Sequence, residues 1–229
     1  MAETIAGRLA GVLQRVAAAA EAGGRAPSDI TLIAVGKTFP ADVVAAAVNA
    51  GAADLGENRV QEAAAKKPNI PTATWHLIGP LQRNKARLAL ETFDVIHTVD
   101  RADIAHRLQF ILDRDWPDRR QKVLAEINIG REPQKAGALP EEAEELVGEI
   151  VSCGLLDLVG LMAIPPFDAD RAQARSYFAA LRNLRDRIVA GSSIALPHLS
   201  MGMSHDFEDA IAEGATMVRV GTAIFGRRG

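Results

Sequence analysis

The spacing of hydrophobic positions alternates along this chain between two repeats. Over residues 1–23 apolar side chains recur every three to four positions, as on one face of a helix, at Ile5, Leu9, Val12 and Val16. From about residue 30 onward, short continuous apolar runs alternate with stretches of helical spacing. Runs without polar alternation are typical of strands that are buried on both faces, as in a parallel sheet.

Eight apolar runs predict eight strands. They lie at 32–35, 53–55, 75–79, 95–99, 123–129, 158–164, 194–199 and 217–220. Helical patterns follow them at 40–51, 58–67, 82–91, 100–112, 140–153, 168–190 and 207–214. This alternation predicts an α/β fold, a single closed (β/α)₈ barrel of the TIM type with an extra N-terminal helix over 1–23. A doubly wound open sheet is the alternative, and no linker divides the single domain expected over 1–229.

Composition and charge narrow the class of protein. The chain has 229 residues, of which 48% are hydrophobic and 24% charged, so a sizeable core can form. Its net charge of −3 and its interspersed acids and bases give no basic stripe for nucleic acid. We find no signal-peptide pattern in residues 1–22 and no run near the roughly 20 apolar residues of a membrane helix. The single cysteine, Cys153, fits a reducing compartment, so we expect a cytoplasmic protein.

Lys37 comes just after a strand ends, which is where barrel proteins place catalytic and ligand-binding residues. Partial desolvation there would lower the pKa of its amine and make the nucleophilic form accessible. Such an amine can form a Schiff base with a carbonyl or with pyridoxal phosphate. A surface lysine just past a strand end is the alternative.

The loops after the seventh and eighth predicted strands suit an anion. Ser204 and Thr222 supply hydroxyl groups, while Gly202 and Gly221 would let the backbone approach a phosphate closely. A plain helix cap at Ser204 and an ordinary turn at Gly221 are the alternatives.

Arg219 stands within the eighth strand, where side chains alternate between two faces. If Val218 and Val220 pack on the outer helices, Arg219 points into the barrel mouth. A buried guanidinium stays charged and needs an acceptor, either an internal carboxylate or a ligand ring nitrogen or anion.

The five histidines show no metal-ligand spacing, and we expect no metal site. Three of them, His76, His97 and His198, fall within strands and are predicted to be packed structural groups.

Seven segments, taken together and in order, resemble one known family. They are VGKT (35–38), LGENRVQE (55–62), WHLIGPLQRNK (75–85), HTVD (97–100), GLMAIP (160–165), LSMGMS (199–204) and MVRVGTAIFG (217–226). By these segments the chain resembles the pyridoxal phosphate homeostasis proteins, a family related to the barrel domain of alanine racemase, the fold type III barrel. The resemblance covers about residue 30 to the C-terminus.

The resemblance implies a cofactor site. Lys37 would carry pyridoxal 5'-phosphate as a Schiff base, and Arg219 would face the pyridine nitrogen. The other implied contacts are the phosphate with Ser204, Gly221 and Thr222, together with Met203, and the 3-hydroxyl side with Asn58. Two positions depart from the family pattern: Gly36, where serine is expected, and His205, where an acid is common.

The resemblance also implies a role in intracellular vitamin B6 homeostasis without turnover. A cationic Arg219 disfavours a protonated ring nitrogen and so weakens the electron sink. Racemisation further needs a second acid or base, which in alanine racemase is a tyrosine from another subunit. Here Tyr177 lies on a helix face, and the sequence ends four residues after Phe225, so we expect neither that base nor the extra β domain of the racemases.

Two alternatives remain at this point: a racemase-like enzyme, and an aldolase whose Lys37 binds substrate directly. The partners expected are the cofactor and the apo-enzymes that receive it, with no nucleic acid and no membrane, and a monomer is expected.

Overall fold

A computed structural model of the chain describes residues 4–226. The strands are β1 (Thr31–Val35), β2 (Asp54–Glu57), β3 (Thr74–Leu77), β4 (Val95–Val99), β5 (Gln121–Glu126), β6 (Leu156–Met162), β7 (His198–Ser200) and β8 (Met217–Val220). The helices are α1 (Ile5–Ala22), α2 (Ala41–Asn49), α3 (Val60–Lys66), α4 (Ala86–Thr92), α5 (Ala102–Asp115), α6 (Ala143–Ser152), α7 (Arg171–Gly191), α8 (Phe207–Ala212) and α9 (Thr222–Phe225).

The eight strands form a closed parallel barrel in sequence order, and β1 pairs with β8. Ile33 of β1 is in register with Arg219 of β8, and Val35 is in register with Gly56 of β2. The predicted (β/α)₈ barrel is therefore confirmed, and the open doubly wound sheet is excluded.

Side chains divide between a large core outside the barrel and a small one inside it. The outer core lies between strands and helices and includes Val218 and Val220. The apolar cluster inside the barrel consists of Ile33, Val95, Leu124, Met162 and Met217. Because Arg219 lies on the same side of β8 as Met217, its side chain enters the barrel, as strand alternation predicts.

The N-terminal helix α1 packs against α8 and α9, the last two helices of the described chain. Leu9, Val12 and Val16 of α1 are buried, and Arg8 Nε donates to the Ile224 carbonyl at 2.6 Å. The predicted helix over 1–23 is thus observed as α1, although residues 1–3 lie outside the described residues. In residues 4–226 no helix has the length and apolarity required to cross a bilayer.

Strands β4 and β8 have their predicted bounds, and the largest departures from prediction are in β5 and β7. Ile127 N still donates to the Met162 carbonyl of β6 at 2.8 Å, but Asn128 N donates to the Ala138 carbonyl at 2.9 Å, so β5 ends three residues before its predicted end. The seventh strand is shorter than the predicted run at 194–199 and ends one residue later: residues 198–200 pair with β6, and 194–197 make no ladder contact with it.

Candidate functional site

Arg219 is the buried cation at the mouth of the barrel. Its side chain is 4% exposed, and its Nη1 donates to the Ser200 carbonyl at 2.8 Å and to Ser200 Oγ at 2.6 Å. Its Nη2 donates to the Ala163 carbonyl at 2.9 Å. These bonds use three of the five guanidinium N–H groups and leave two for another acceptor.

The electrostatic surroundings of Arg219 keep it cationic. Burial lowers its pKa to about 10, while the charges of Glu126 and Asp206 act in the opposite direction. The neutral oxygens of Ser200 and Ala163 accept its bonds, so the internal carboxylate considered from the sequence is not its hydrogen-bond partner. A guanidinium with a pKa of about 10 is fully charged near neutral pH.

A row of polar side chains runs through the barrel interior behind Arg219. From β8 to β2 the links are Arg219 Nη1 to Ser200 Oγ (2.6 Å), Ser200 Oγ to His97 Nδ1 (2.9 Å), His97 Nε2 to His76 Nδ1 (2.8 Å) and His76 Nε2 to Asp54 Oδ1 (2.9 Å). We call these five residues the interior hydrogen-bond chain. The two histidines are buried as predicted, but they are linked by hydrogen bonds across four strands rather than merely packed.

Lys37 lies in the turn after β1, and its side chain is exposed, so the desolvation expected there is absent. Lys37 is exposed because of its position along the barrel axis. Strand β1 ends at Val35, so residue 37 lies above the rim of the barrel. The next residue, Thr38, adopts a left-handed φ of 68°. A β-branched residue rarely adopts this conformation, which is costly and concentrates at functional sites.

A buried ion pair holds the Lys37 turn from outside the barrel. Lys66 Nζ lies 2.5 Å from Glu57 Oε1 and donates to the Gly36 carbonyl at 3.1 Å. Burial raises the pKa of Glu57, although the Lys66 ammonium opposes this change. Glu62 Oε2 also accepts from Thr38 N at 3.3 Å. The backbone around Lys37 is therefore anchored on both sides.

Gly36 is matched to its neighbour on α2. A Cβ atom at this position would lie 2.7 Å from Val44 Cγ2, closer than real Cβ atoms approach. The departure from serine noted in the sequence thus has a packing reason in this chain.

The loops after β7 and β8 meet as predicted. Gly221 N donates to Ser204 Oγ at 3.1 Å, so the hydroxyl proton of Ser204 can be donated elsewhere. Ser204 therefore does not cap α8, which begins after Asp206. Ser204 and Thr222 line an open cavity of about 560 Å³ together with Phe167, His205 and Ala223.

The remaining predicted residues lie at the same rim. Asn58 is half-buried just after β2, in a second cavity that it shares with Pro80 and Lys85. Met203 is half-buried in the loop after β7, where its N–H donates to Asp206 Oδ1 at 2.6 Å. The Met203 N–H is therefore already engaged within its own loop.

Glu126 is a site residue that sequence reasoning missed. It ends β5 and is 8% exposed, and its Oε2 is buried without a hydrogen-bond partner in the described chain. Burial, reinforced by Asp100, raises its pKa to about 7, while Arg219 acts in the opposite direction. Strand alternation could have found it, because Glu126 shares the inward face of β5 with Leu124.

No group of three or more potential metal ligands occurs among the described residues. The donor set instead suits an organic anion with a ring acceptor: two rim hydroxyls, glycine backbone, a buried guanidinium and an amine in the turn after the adjacent strand. At Gly221 an added Cβ would lie 3.3 Å from the Val35 carbonyl, so β8 and β1 are tightly apposed at this point.

Comparison with known proteins agrees with this geometry. The family model described as "Alanine racemase, N-terminal domain" matches residues 15–229. Among solved structures, an alanine racemase from Clostridium difficile 630 has a TM-score of 0.74 at 18% identity, covering 96% of this chain and 57% of that one. That likeness defines the class of fold: an alanine-racemase-like barrel.

Closer relatives define the family. The pyridoxal phosphate homeostasis proteins of Escherichia coli K12 and Aquifex aeolicus are 44% and 42% identical to the chain, which they cover over 98% and 96% of its length (97% of each relative). The structure of PipY from Synechococcus elongatus with PLP bound has a TM-score of 0.84 at 37% identity, covering 97% of this chain and 100% of that one. The chain belongs to the pyridoxal phosphate homeostasis protein family.

Proposed function

We propose that the chain binds pyridoxal 5'-phosphate at the barrel mouth, holds it covalently on Lys37, and takes part in pyridoxal phosphate homeostasis without turning substrate over. The observation that carries this proposal is Arg219, a buried cation with two remaining donors, on the strand next to the one that precedes Lys37. The PLP-bound relative and the names of the curated relatives support it.

The residues present suit each part of this cofactor. Ser204 and Thr222 would bind the phosphate through their hydroxyls, and Gly221 would let the backbone approach it, with Met203 beside them. Arg219 would donate to the ring nitrogen, and Asn58 would lie toward the 3-hydroxyl. When bound, the cofactor supplies an aldehyde and an electron-withdrawing ring.

The covalent link needs the uncharged amine of Lys37. After loss of a proton to solvent, this amine would hold the cofactor through its aldehyde carbon as a Schiff base, with one water released. The exposed position of Lys37 leaves its side chain accessible from the mouth. Arg219 stays cationic and disfavours a proton on the ring nitrogen, which limits carbanion chemistry.

The chain would act as one domain and as a monomer, and it would release cofactor to apo-enzymes. The free, buried Cys153 suits a reducing, cytoplasmic setting.

Absorbance and mass spectrometry test the covalent link. Protein incubated with pyridoxal phosphate and then freed of unbound ligand should absorb in the visible range, and Lys37→Ala should abolish that absorption. Lys122→Ala is the matched control, because Lys122 is exposed at the opposite end of the barrel. Visible absorption that persists in Lys37→Ala would overturn the proposal.

A second candidate function, proton exchange at Cα of a bound amino acid, is favoured by Glu126. A carboxyl group with a pKa of about 7 at the barrel mouth matches a general acid–base at neutral pH. Deuterium incorporation into alanine in D₂O that disappears in Glu126→Gln would establish this function; no incorporation would favour binding alone.

A further inference from the structure

The interior hydrogen-bond chain has a direction in which every member is satisfied. The Asp54 carboxylate can only accept, so the proton of that bond lies on His76 Nε2. With both rings neutral, His76 Nδ1 accepts from His97 Nε2, and His97 Nδ1 accepts the Ser200 hydroxyl proton. Ser200 Oγ in turn accepts from Arg219, which has no acceptor atom. All four bonds then run from Arg219 toward Asp54.

The opposite direction fails at Ser200. A cationic His76 would donate at both ring nitrogens, and His97 would have to donate to Ser200 Oγ. Ser200 Oγ would then accept two hydrogen bonds, and its own proton would have no acceptor among the members of the interior hydrogen-bond chain. A second positive charge would also enter the interior that holds Arg219, at a high desolvation cost. Burial lowers the pKa of His97 well below its usual value, which agrees with a neutral ring.

We propose that the interior hydrogen-bond chain is a positioning network for Arg219. Through Ser200 it fixes one edge of the guanidinium, so that the two remaining N–H groups are held for an acceptor at the mouth. The inference rests on the proposed function for the identity of that acceptor, the ring nitrogen of pyridoxal phosphate. His76, His97 and Ser200 are therefore positioning residues, which act through Arg219 rather than on the cofactor.

The cost of the network argues for such a role. His97 and Ser200 are fully buried, and His76 is 2% exposed. Apolar side chains would fill the same interior without polar groups that each need a partner. A polar network whose hydrogen bonds are all satisfied restricts the orientation of the Arg219 guanidinium, whereas an apolar core would not.

Nitrogen-15 NMR of histidine-labelled, cofactor-free protein tests the direction of the chain. Near pH 7.5 His76 and His97 should both be neutral with the proton on Nε2. A proton on His97 Nδ1, or a cationic ring at either position, would overturn the inference. This measurement does not depend on whether the cofactor binds.

Substitutions test the positioning role. His97→Leu and Ser200→Ala should each weaken pyridoxal phosphate binding about tenfold, the effect of one lost hydrogen bond. They should also change the pH titration of the visible absorption band, because a displaced Arg219 no longer opposes ring protonation. His97→Asn keeps an acceptor near the Nδ1 position for Ser200 and should restore most of the affinity. His106→Leu is the control, since His106 is exposed and contacts Glu149 far from the network.

The outcomes separate the two proposals. Wild-type protein that gives no visible band contradicts the proposed function, and the NMR result then decides the network alone. A normal wild-type band with unchanged affinity and titration in both His97→Leu and Ser200→Ala contradicts the positioning role. A fall in melting temperature without a change in titration marks a purely structural network and also contradicts it.

Discussion

Arg219 on β8 and Lys37 in the turn after the neighbouring strand β1 are both cations, yet their surroundings differ in kind. Arg219 is 4% exposed and held by three hydrogen bonds to oxygens inside the wall. Lys37 is exposed above the rim, and the contacts that hold its turn come from outside the barrel, through Lys66 and Glu62. The comparison teaches that a fixed donor and a reachable nucleophile need opposite settings: rigid burial for the first, and an anchored backbone with an accessible side chain for the second.

The largest loss of stability is expected when the ion pair that holds the Lys37 turn is broken. Lys66→Met leaves Glu57 buried without its partner and removes one of the two donors to the Gly36 carbonyl, so the protein should lose about 3–5 kcal/mol of unfolding free energy in urea denaturation. The double variant Glu57→Gln with Lys66→Met removes both charges and should recover most of that loss. Equal losses in the single and double variants would show that the charge pair is not the cause.

The next effect concerns the carboxyl that faces Arg219. The folded pKa of Glu126 is raised from 4.5 to about 7, so the folded state retains a proton that the unfolded state has lost. Stability therefore falls as pH rises through this window and stays low above it, by about 3 kcal/mol at most. Cofactor-free Glu126→Gln should match wild type at pH 4 and exceed it by up to about 3 kcal/mol at pH 8. An equal difference at both pH values in urea denaturation would contradict the assignment.

A smaller loss of stability is expected from crowding Gly36, the residue before Lys37, against Val44. Gly36→Ala places a methyl group against Val44 and should cost about 1–3 kcal/mol, as overpacking does. Adding Val44→Ala gives the methyl group room, so the double variant should fall less than the two single losses together. Gly11→Ala is the control: it lies in α1 with open space around it and should stabilise the helix slightly in thermal unfolding.

The smallest effect concerns backbone strain beside Lys37. Thr38→Gly removes the side chain from a left-handed position and should raise stability by about 1 kcal/mol. Calorimetry measures the change, and a loss of stability would mean that the Thr38 side chain makes contacts worth more than the strain.

The barrel was predictable because its signals are local. The runs at 95–99 and 217–220 coincide with β4 and β8, and alternation around Arg219 placed its side chain inside before any contact was known. Boundaries were less predictable where tertiary contacts decide them: β5 ends at Glu126 because Asn128 bonds to Ala138, a partner ten residues further along.

The site was predictable only in part. Lys37, Ser204 and Gly221 could be chosen from strand ends and glycines, and the Ser204–Gly221 bond shows that their loops do meet. The interior hydrogen-bond chain draws on five strands, so its pairing depends on register, which sequence spacing does not encode. The desolvation expected for Lys37 was wrong because its exposure depends on its height above the barrel rim, which sequence spacing does not encode either.

The most direct measurement of the central claim is chemical trapping of the cofactor link. Protein incubated with pyridoxal phosphate is reduced with borohydride, digested and mapped by mass spectrometry, with Lys122→Ala and Lys37→Ala in parallel. The account predicts one labelled site, Lys37, in wild type and in Lys122→Ala, and no label in Lys37→Ala. A label on another lysine, or none in wild type, would contradict it.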